Sequence, residues 1–299
     1  MRVLVTGASG FLGKRLKKHK PEWFYVSTKD YNLLSMGNCN RMIYETKPDA
    51  VIHLAAKVGG IKANTEQQAD FLYLNMTINS NVIEAAKQCG IKRLLASLST
   101  CAFPDILDNY PFVEEDLHKG PPAASNLSYG FSKRLLQVQC LSYRNQYGLN
   151  YSTFCPSNLY GPEDHFNQES SHFVASLITK LSKAKSGDTI EIWGTGKPLR
   201  QQLYVDDLCK IIVLLLEKHH TEQPIIVAPD ENLSIEEMCN IGAKCVRKEI
   251  NFVYNGKYDG QFRKDGSNKL LKQLIGDFKF TKFEDGFKKT YKEYINETI

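Results

Sequence analysis

The chain contains 299 residues, of which 42% are hydrophobic and 24% charged, and its formal net charge is +5. This composition excludes a disordered chain and is typical of a globular protein with one large domain or two of ordinary size. The longest apolar run, which begins at Ile211, is too short to cross a bilayer, and the first ten residues contain no export signal. We therefore expect a cytoplasmic protein without a membrane partner.

The eight cysteines are scattered, with no C-x-x-C pair and no Cys/His cluster at zinc spacing. This pattern predicts reduced thiols and no metal site. Basic and acidic residues are interleaved along the chain, which is typical of a solvated surface. The net charge therefore gives no reason to expect a nucleic-acid partner.

Nearly continuous apolar runs in the first half predict strands that are buried on both faces of a parallel sheet. These runs cover residues 2–7, 23–27, 50–56, 93–99 and 151–157. Between them, segments 71–90 and 128–148 have helical spacing and end at Gly90 and Gly148. The alternation predicts an α/β fold with a doubly wound parallel sheet.

The alternation of strands and helices becomes irregular after about Gly161, where shorter apolar runs and a polar helical tail follow. We expect a smaller C-terminal substrate-binding domain built on the first domain. Its predicted boundaries are 161–201 and 229–299. The larger domain then comprises residues 1–160, with about 202–228 returning to it.

The first predicted strand runs into a glycine loop, with Gly7, Gly10 and Gly13 at G-x-x-G-x-x-G spacing. Gly7 permits a tight turn, Gly10 lets the backbone approach a pyrophosphate, and Gly13 lets the following helix pack against the strand. A tight turn without a ligand is the alternative. Because the loop joins the first strand to the first helix of a β-α-β unit, we predict that it binds a dinucleotide.

The second predicted strand ends in Ser27, Thr28, Lys29 and Asp30, and these residues bear on which dinucleotide is bound. Lys29 suits the 2′-phosphate of NADP, whereas Asp30 suits the ribose hydroxyls of NAD. The hydroxyls and the lysine come before the acid. The sequence therefore favours NADP over NAD.

Two Tyr-x-x-x-Lys matches occur, and only Tyr129/Lys133 is near the start of a predicted helix. The other match, Tyr25/Lys29, lies at the end of a strand, and we interpret it as coincidence. On a helix the two side chains share a face. We expect the Lys133 ammonium to lower the pKa of the Tyr129 phenol, which then donates a proton to a carbonyl oxygen. A packing role for Tyr129 is the alternative.

Ser99 follows the fourth predicted strand, and ligands of α/β sheets bind beyond the carboxyl ends of the strands. Its hydroxyl can bind the carbonyl that Tyr129 protonates. The glycine loop, this serine and the Tyr-Lys pair, in that order, resemble the short-chain dehydrogenase/reductase family. The chain length resembles its extended branch, which acts mostly on nucleotide sugars.

Cys101, two residues after Ser99, is not needed by such reductases. At a strand exit its thiol is a candidate base that removes a proton next to a ketone, and a small buried apolar residue is the alternative. His165 and His172 are candidates for the matching acid. We expect Lys133, together with an oxidised nicotinamide, to lower the pKa of the Cys101 thiol.

Several motifs occur in the order found in the GDP-L-fucose synthase family, whose enzymes are GDP-4-keto-6-deoxymannose 3,5-epimerase/4-reductases. The resemblance extends to about Leu208 and then thins. The motifs are HLAAKVGGIKAN (53–64), STCAFPD (99–105), SYGFSKR (128–134), NLYGPEDHFNQESSH (158–172), WGTGKPLRQQLYVDDL (193–208) and the shorter YDGQFRKD (258–265).

This resemblance implies a reductase triad of Ser99, Tyr129 and Lys133, with Cys101 as the base and His172 as the acid for inversion at C3 and C5. NADPH is the implied cofactor and a GDP-linked 4-keto-6-deoxy sugar the implied substrate. The expected substrate contacts are Lys180, Trp193, Arg200 and Asp259. The expected cofactor contacts are Gly7, Ser9, Gly10, Phe11, Leu12, Gly13, Lys29, Leu54, Ala55, Ala56, Tyr129, Lys133, Pro156, Asn158, Leu159 and His172. A homodimer through helices 71–90 and 128–148 is also implied.

Two departures from the family leave the sugar open. Ser176 stands where the family commonly has proline, and Gln202 replaces a usual aromatic residue. A GDP-linked keto-deoxyheptose is therefore an alternative substrate, and reduction at C4 without epimerisation is an alternative reaction.

Three other functions are disfavoured. Dehydratases of this superfamily carry an Asp–Glu pair where this chain has Cys101 and Ala102. A 4-epimerase would retain its NAD and needs no Cys/His pair. A nucleotide-sensing scaffold without chemistry usually loses the Tyr or the Lys, and here both Tyr129 and Lys133 are present.

Overall fold

A central six-stranded parallel sheet organises the chain, in a computed structural model that describes residues 1–167, 171–257 and 259–298. Three further pairs of short strands lie outside this sheet. The strands of the described chain are β1 (Val3–Thr6), β2 (Phe24–Val26), β3 (Ala50–His53), β4 (Arg93–Ser97), β5 (Asn150–Pro156), β6 (Asn158–Tyr160), β7 (Thr189–Ile192), β8 (Leu199–Arg200), β9 (Gln202–Tyr204), β10 (Ile225–Val227), β11 (Leu233–Ser234) and β12 (Asn251–Tyr254).

Helices cover both faces of the sheet, and none in the described part of the chain is long and apolar enough to span a membrane. The helices are α1 (Phe11–His19), α2 (Met36–Thr46), α3 (Ile61–Glu66), α4 (Gln68–Gln88), α5 (Leu127–Tyr147), α6 (Phe173–Lys183), α7 (Val205–Lys218), α8 (Ile235–Cys245), α9 (Lys269–Ile275) and α10 (Phe283–Thr298).

The strand order is β2-β1-β3-β4-β5-β10, and every neighbouring pair is parallel. The chain first moves outward from β1 to β2 and then crosses to the other side of β1 to form β3. This reversal opens a crevice at the carboxyl ends of β1 and β3, which is where doubly wound folds bind their ligands. The predicted doubly wound sheet is confirmed.

Alternate residues of the central strands supply two cores, one on each face of the sheet. Leu94 of β4 packs with α2, α4 and α5, whereas Leu95 packs with α1, α7 and α9. This follows from the two-residue period of a strand, and it explains why these strands are apolar without interruption. A third core lies apart from the sheet and joins α6, β7, α8 and α10 around Ile178, Met238 and Phe287.

The predicted elements agree closely with the observed ones in the first half of the chain. All five predicted strands occur as β1 to β5, and the two predicted helices occur as α4 and α5. Gly148 ends α5 with a φ of +66°, a conformation that favours glycine. Helix α2 and strand β10 were not among the predicted elements. β10 is only three residues long, and its place in the sheet depends on pairing with β5.

Arg93 is a charged residue in the middle of this apolar architecture, and it ties β4 to the end of α7. Its guanidinium donates to the carbonyl oxygens of Leu216 at 3.1 Å and Leu215 at 2.8 Å, and to the Ser152 hydroxyl at 2.6 Å. The last carbonyl groups of a helix have no partner within the helix. Arg93 therefore satisfies the end of α7 where that end is buried against the sheet.

We expect Arg93→Met to lower the free energy of unfolding by about 3 kcal/mol, because it leaves buried carbonyl groups without donors. Urea unfolding followed by circular dichroism measures the change. Arg41→Met is the matched control, since Arg41 is exposed on α2, where it pairs with Glu45 and lies 5.3 Å from the centroid of the Tyr31 ring, and such exposed contacts contribute about 1 kcal/mol or less. Equal losses in both variants would contradict the role of Arg93.

Candidate active site

A tight turn follows β4 and places Ser99 and Cys101 at the carboxyl edge of the sheet. The strand ends at Ser97, and a single 3-10 turn spans Thr100–Ala102. The Ser99 hydroxyl accepts a hydrogen bond from the Cys101 backbone amide at 3.2 Å. The serine therefore shapes the turn that carries the cysteine, and the two side chains lie in one small region.

Gly130 brings α5 against this turn. A Cβ atom at position 130 would lie 2.5 Å from the carbonyl oxygen of Cys101 and 2.7 Å from Cβ of Pro122. No other residue fits at this distance without displacing the backbone. The glycine therefore lets the start of α5, with Tyr129, lie beside Ser99 and Cys101.

Tyr129 and Lys133 share one face of α5, as expected. The Lys133 ammonium donates to the carbonyl oxygen of Ser97 at 2.8 Å and lies 5.8 Å from the centroid of the Tyr129 ring. Burial lowers the pKa of Lys133 to about 8. The expectation that Lys133 lowers the pKa of Tyr129 is wrong in this structure. Burial raises the pKa of Tyr129, Cys101 adds to the increase, and the Ser99 hydroxyl opposes it. The phenol therefore stays protonated at neutral pH.

The Cys101 thiol has a neighbour that the sequence analysis missed. The Nζ atom of Lys264 lies 3.1 Å from Sγ of Cys101. Burial raises the pKa of the thiol, but the charge and hydrogen bond of Lys264 and the Ser99 hydroxyl outweigh burial and lower it overall. The expectation that Lys133 acts on Cys101 is therefore corrected, because Lys133 is directed at Ser97 and the nearby cation is Lys264.

His172 is the N-cap of α6, and its imidazole is exposed. Its Nδ1 atom lies 3.9 Å from the buried carboxylate of Asp164, an ion-pair distance rather than a hydrogen bond. Asp164 raises the pKa of His172, partial desolvation by neighbouring groups opposes this increase, and Cys101 adds to it. His172 is thus electrostatically linked to Cys101. Asp164 was not among the predicted site residues.

The glycine loop forms a narrow cradle at the crevice between β1 and β3. Gly7 has a φ of +81°, and a Cβ atom there would lie 2.8 Å from the backbone nitrogen of Ala55. A Cβ atom at Gly13 would lie 2.3 Å from the carbonyl oxygen of Gly7. Helix α1 begins beside this loop with Gly10 as its N-cap and no acidic side chain in its first turn. This arrangement fits a pyrophosphate at the helix N-terminus.

The predicted cofactor residues beyond β1 and β3 lie along the same edge. Ser9, Phe11 and Leu12 belong to the loop and the first turn of α1, whereas Leu54, Ala55 and Ala56 follow β3. Pro156 ends β5, and Asn158 and Leu159 begin β6. Between them, the hydroxyl of Ser157 is buried and has no hydrogen-bond partner among the described residues. A bound group can supply that partner, so these residues also fit a dinucleotide.

His53 joins the ends of β1 and β3 from below the crevice. Its Nδ1 atom lies 2.8 Å from the Thr6 hydroxyl, and its Nε2 atom lies 3.0 Å from Oδ1 of Asn79 on α4. The Thr6 hydroxyl in turn accepts from the Ala55 amide at 3.3 Å. Burial lowers the pKa of His53 to about 4, so the imidazole is neutral at neutral pH. This network was not foreseen, and it fixes the backbone on both sides of the crevice.

At the end of β2, the carboxylate of Asp30 forms hydrogen bonds within its own turn. The Asp30 carboxylate accepts from the Ser27 amide at 2.8 Å and from the Ser27 hydroxyl at 2.9 Å, and these bonds lower its pKa. Lys29 lies exposed in the same turn. Asp30 thus stabilises the turn through its carboxylate, whereas Lys29 contributes its backbone amide, which donates to the Ser27 hydroxyl at 3.3 Å, and its side chain is exposed.

Three of the predicted substrate residues form one cluster. The Asp259 carboxylate accepts from the amide and the hydroxyl of Thr195, at 2.6 and 2.8 Å, and the Arg200 guanidinium donates to the Asp259 carbonyl at 3.4 Å. Trp193 precedes this turn and is 70% exposed, so it is not a core residue. Burial lowers the pKa of Arg200.

Lys180 lies apart from this cluster, since its ammonium donates to the carbonyl of Glu191 on β7 at 2.7 Å.

Gln201 is a further residue that the sequence analysis missed. Its side-chain oxygen accepts a hydrogen bond from the backbone amide of Gly266 at 2.8 Å. Its side-chain nitrogen donates to the backbone carbonyls of Gly266 at 3.1 Å and Pro229 at 2.8 Å. It therefore attaches the segment that carries Lys264 to the strand region near Arg200.

Among the residues that the structure describes, no group of three or more His, Cys, Asp or Glu side chains can hold a metal ion.

Comparisons with known proteins identify the family of this chain. Residues 3–228 match the model of the NAD dependent epimerase/dehydratase family. A probable GDP-L-fucose synthase of Drosophila melanogaster is 36% identical over 98% of this chain and 97% of its own, and the GDP-L-fucose synthase of Dictyostelium discoideum is 34% identical over 98% and 95%. The crystal structure of a GDP-L-fucose synthetase from Naegleria fowleri bound to NADP superposes with a TM-score of 0.91, at 32% identity over 99% of this chain and 93% of that one. This chain belongs to the NAD dependent epimerase/dehydratase family, in the group of the GDP-L-fucose synthases.

Proposed function

We propose that this protein is an NADPH-dependent epimerase and reductase, which inverts C3 and C5 of a GDP-linked 4-keto-6-deoxy sugar and reduces the C4 ketone. The observation that carries the proposal is the position of the Cys101 thiol. It lies in the same turn as Ser99, beside Tyr129, and is linked electrostatically to His172. A reductase alone needs the serine, the tyrosine and the lysine but neither the thiol nor the imidazole.

NADPH is the proposed cofactor, and its binding at the crevice is supported by the glycine cradle and by the NADP in the related structure from Naegleria fowleri. When bound, it supplies the hydride for C4. Gly7, Gly10 and Gly13 hold the pyrophosphate against the first turn of α1, and Lys29 pairs with the 2′-phosphate. The remaining proposed contacts are Ser9, Phe11, Leu12, Leu54, Ala55, Ala56, Tyr129, Lys133, Pro156, Asn158, Leu159 and His172.

The epimerisation follows from the acidity of hydrogens next to a ketone. The Cys101 thiolate removes the proton from C3 or C5, and the electrons of the C–H bond move toward the C4 oxygen as an enolate forms. Ser99 and Tyr129 hold this oxygen with hydrogen bonds, which strengthen as its negative charge develops. His172 then donates a proton to the carbon from the opposite face. Its raised pKa suits that donation near neutral pH.

In the reduction, Tyr129 acts as the acid. Its raised pKa keeps the phenol protonated until the C4 oxygen becomes basic, and the phenol then transfers its proton to that oxygen. Ser99 orients the same oxygen. Lys133, held by the Ser97 carbonyl, lies 5.8 Å from the centroid of the Tyr129 ring and helps to position the phenol.

We assign the binding of the GDP moiety to the C-terminal part of the chain. Arg200 and Lys180 provide positive charge for the diphosphate, Trp193 offers an exposed ring for stacking, and Asp259 binds a sugar or nucleoside hydroxyl. The third core supports this substrate-binding domain, with proposed boundaries at 161–201 and 229–299. Residues 1–160 and 202–228 then form the NADP-binding domain.

A GDP-linked keto-deoxyheptose is the second candidate substrate. Gln202, where the family commonly has an aromatic residue, is buried on β9 directly opposite Asn158 of β6. A polar amide at this place suits a sugar with an additional hydroxyl. Reduction at C4 without epimerisation is the second candidate reaction, and the first experiment below separates the two reactions.

We also propose a cytoplasmic homodimer that packs through α4 and α5. These adjacent helices expose a set of apolar side chains, and a homodimer would bury this surface. The exposed residues are Tyr73, Met76, Phe131, Leu135 and Val138. All eight cysteines are free thiols, which supports a reducing compartment.

Solvent exchange tests the reaction. With the 4-keto sugar and NADPH in D2O, we expect deuterium at C3 and C5 of the product, as measured by mass spectrometry and NMR. Cys101→Ser should slow this exchange by about 100-fold or more, because a hydroxyl is a far weaker base. Cys89→Ser, an exposed thiol on another surface, should leave it unchanged. Reduction by the unsubstituted protein without exchange would mean a C4 reductase only, and full exchange in Cys101→Ser would remove the thiol from the mechanism.

Lys29→Ala tests the cofactor. We expect KM for NADPH to rise about tenfold and KM for NADH to change little, since only NADPH has the phosphate that Lys29 contacts. Steady-state kinetics with both cofactors measures the difference. Lys92→Ala is the control, because Lys92 is an exposed lysine at the amino end of β4, on the opposite edge of the sheet. Equal changes for the two cofactors would contradict the assignment.

Leu135→Glu tests the dimer. A carboxylate in the middle of the apolar surface should make association unfavourable, so analytical ultracentrifugation should show a monomer. Tyr44→Glu is the control, since Tyr44 is exposed on α2, away from that surface. A monomeric unsubstituted protein, or an unchanged dimer in Leu135→Glu, would refute the proposed interface.

A further inference from the structure

We propose that Lys264 is a positioning residue, which holds the Cys101 sulfur as a thiolate and directs it for proton abstraction. This inference rests on the proposed epimerase function and deepens it. Its basis is geometric: Nζ of Lys264 lies 3.1 Å from Sγ of Cys101, although the two residues are 163 positions apart. The ammonium comes from a loop between β12 and α9, outside the strand exits and helix that supply the reductase residues.

The loop that carries Lys264 is held on both sides of the lysine. The amide of Phe112 donates to the carbonyl of Asp265 at 2.9 Å, and the amide of Ser267 donates to the carbonyl of Phe112 at 2.8 Å. Arg263 pairs with the buried carboxylate of Asp265 through two hydrogen bonds, at 2.8 and 2.5 Å. The backbone on either side of the ammonium is therefore fixed rather than free to turn away.

Phe112 also connects this loop to the turn of Cys101. Its ring stacks on Phe103, with centroids 4.1 Å apart, and Phe103 follows Cys101 by two residues. Gly266 lets the loop approach, since a Cβ atom there would lie 2.8 Å from both Phe112 and Ile226. One pair of buried rings thus sets the position of the thiol and of the ammonium relative to each other.

The groups that face the thiol come from six segments of the chain. They are Ser99, Tyr129, Cys155, His172, Arg200 and Lys264. Lys264 is the cation with the largest effect, and it lowers the pKa of Cys101 in spite of burial, which raises it. Ser99 and His172 act in the same direction more weakly.

The Lys264 ammonium favours the thiolate form of Cys101, and the epimerisation needs this form because a neutral thiol is too weak a base. The thiolate takes the proton from C3 or C5 and becomes a thiol, the electrons of the C–H bond pass to the enolate, and Lys264 neither gives nor takes a proton in this step. The thiol then loses its proton to solvent before the second inversion. Hydride transfer to C4 needs none of these events, so the effect of Lys264 falls on the exchange reaction and not on the reduction.

Alkylation of the free protein tests the electrostatic effect without any substrate. Iodoacetamide is the probe, and mass spectrometry follows the peptide that contains Cys101 across a pH series. We expect Lys264→Met to move the midpoint of alkylation upward by about one to two pH units, because a neutral side chain no longer favours the thiolate. Lys264→Arg should keep the midpoint within about half a unit. Lys257→Met, which replaces an exposed lysine of the same loop, should not move it.

Deuterium exchange in D2O tests whether Lys264 speeds proton removal from C3 and C5. At pH 7 we expect Lys264→Met to slow deuterium incorporation at C3 and C5 by about 10- to 100-fold, with recovery as the pH is raised, while Lys264→Arg retains most of it. An unshifted alkylation midpoint, or a loss of exchange that neither high pH nor arginine restores, overturns the role of Lys264. No exchange in the unsubstituted protein overturns the proposed epimerase function itself, which is a different result.

Discussion

The close approach between α5 and the turn after β4 is the constraint on which the site depends. Gly130 leaves no room for a side chain between the helix and the carbonyl oxygen of Cys101. Because the two segments touch there, the phenol of Tyr129 and the hydroxyl and thiol of the turn share one volume at the sheet edge. The sheet supplies the rigid side of this contact, since β4 is buried along its whole length between β3 and β5. The position of the reacting groups is thus set by backbone contacts rather than by flexible side chains.

Environment then assigns different proton affinities to the neighbouring groups. Burial keeps Tyr129 protonated and lowers the pKa of Lys133 to about 8, whereas Lys264 favours the thiolate of Cys101 and Asp164 favours the protonated form of His172. Tyr129 and His172 are therefore suited to proton donation, and Cys101 is suited to proton removal. Such a separation of pKa values within one pocket lets a single site carry out acid and base steps at one pH.

The C-terminal segment contributes residues to the candidate active site. Its loop between β12 and α9 is joined to the first half of the chain by the Phe112 backbone, and to the segment beside Arg200 by the side-chain amide of Gln201. The same loop region brings Asp259 to Thr195 and Arg200. The region proposed to bind the nucleotide and the cation beside the thiol therefore belong to one connected unit.

The sequence by itself determined five of the six strands of the sheet, the glycine cradle and the local positions of Ser99, Cys101, Tyr129 and Lys133, because these features depend on local patterns. Apolar runs, glycine spacing and a four-residue helical repeat act over a few residues, and each was found where it was predicted. The tertiary structure alone decided that Lys264 and not Lys133 faces the thiol, that Asp164 lies beside His172, and that Gln201 attaches the loop of Lys264. Contacts between residues as far apart as 101 and 264 leave no periodic signal, and the direction of a pKa shift depends on burial and on charges that only folding brings together.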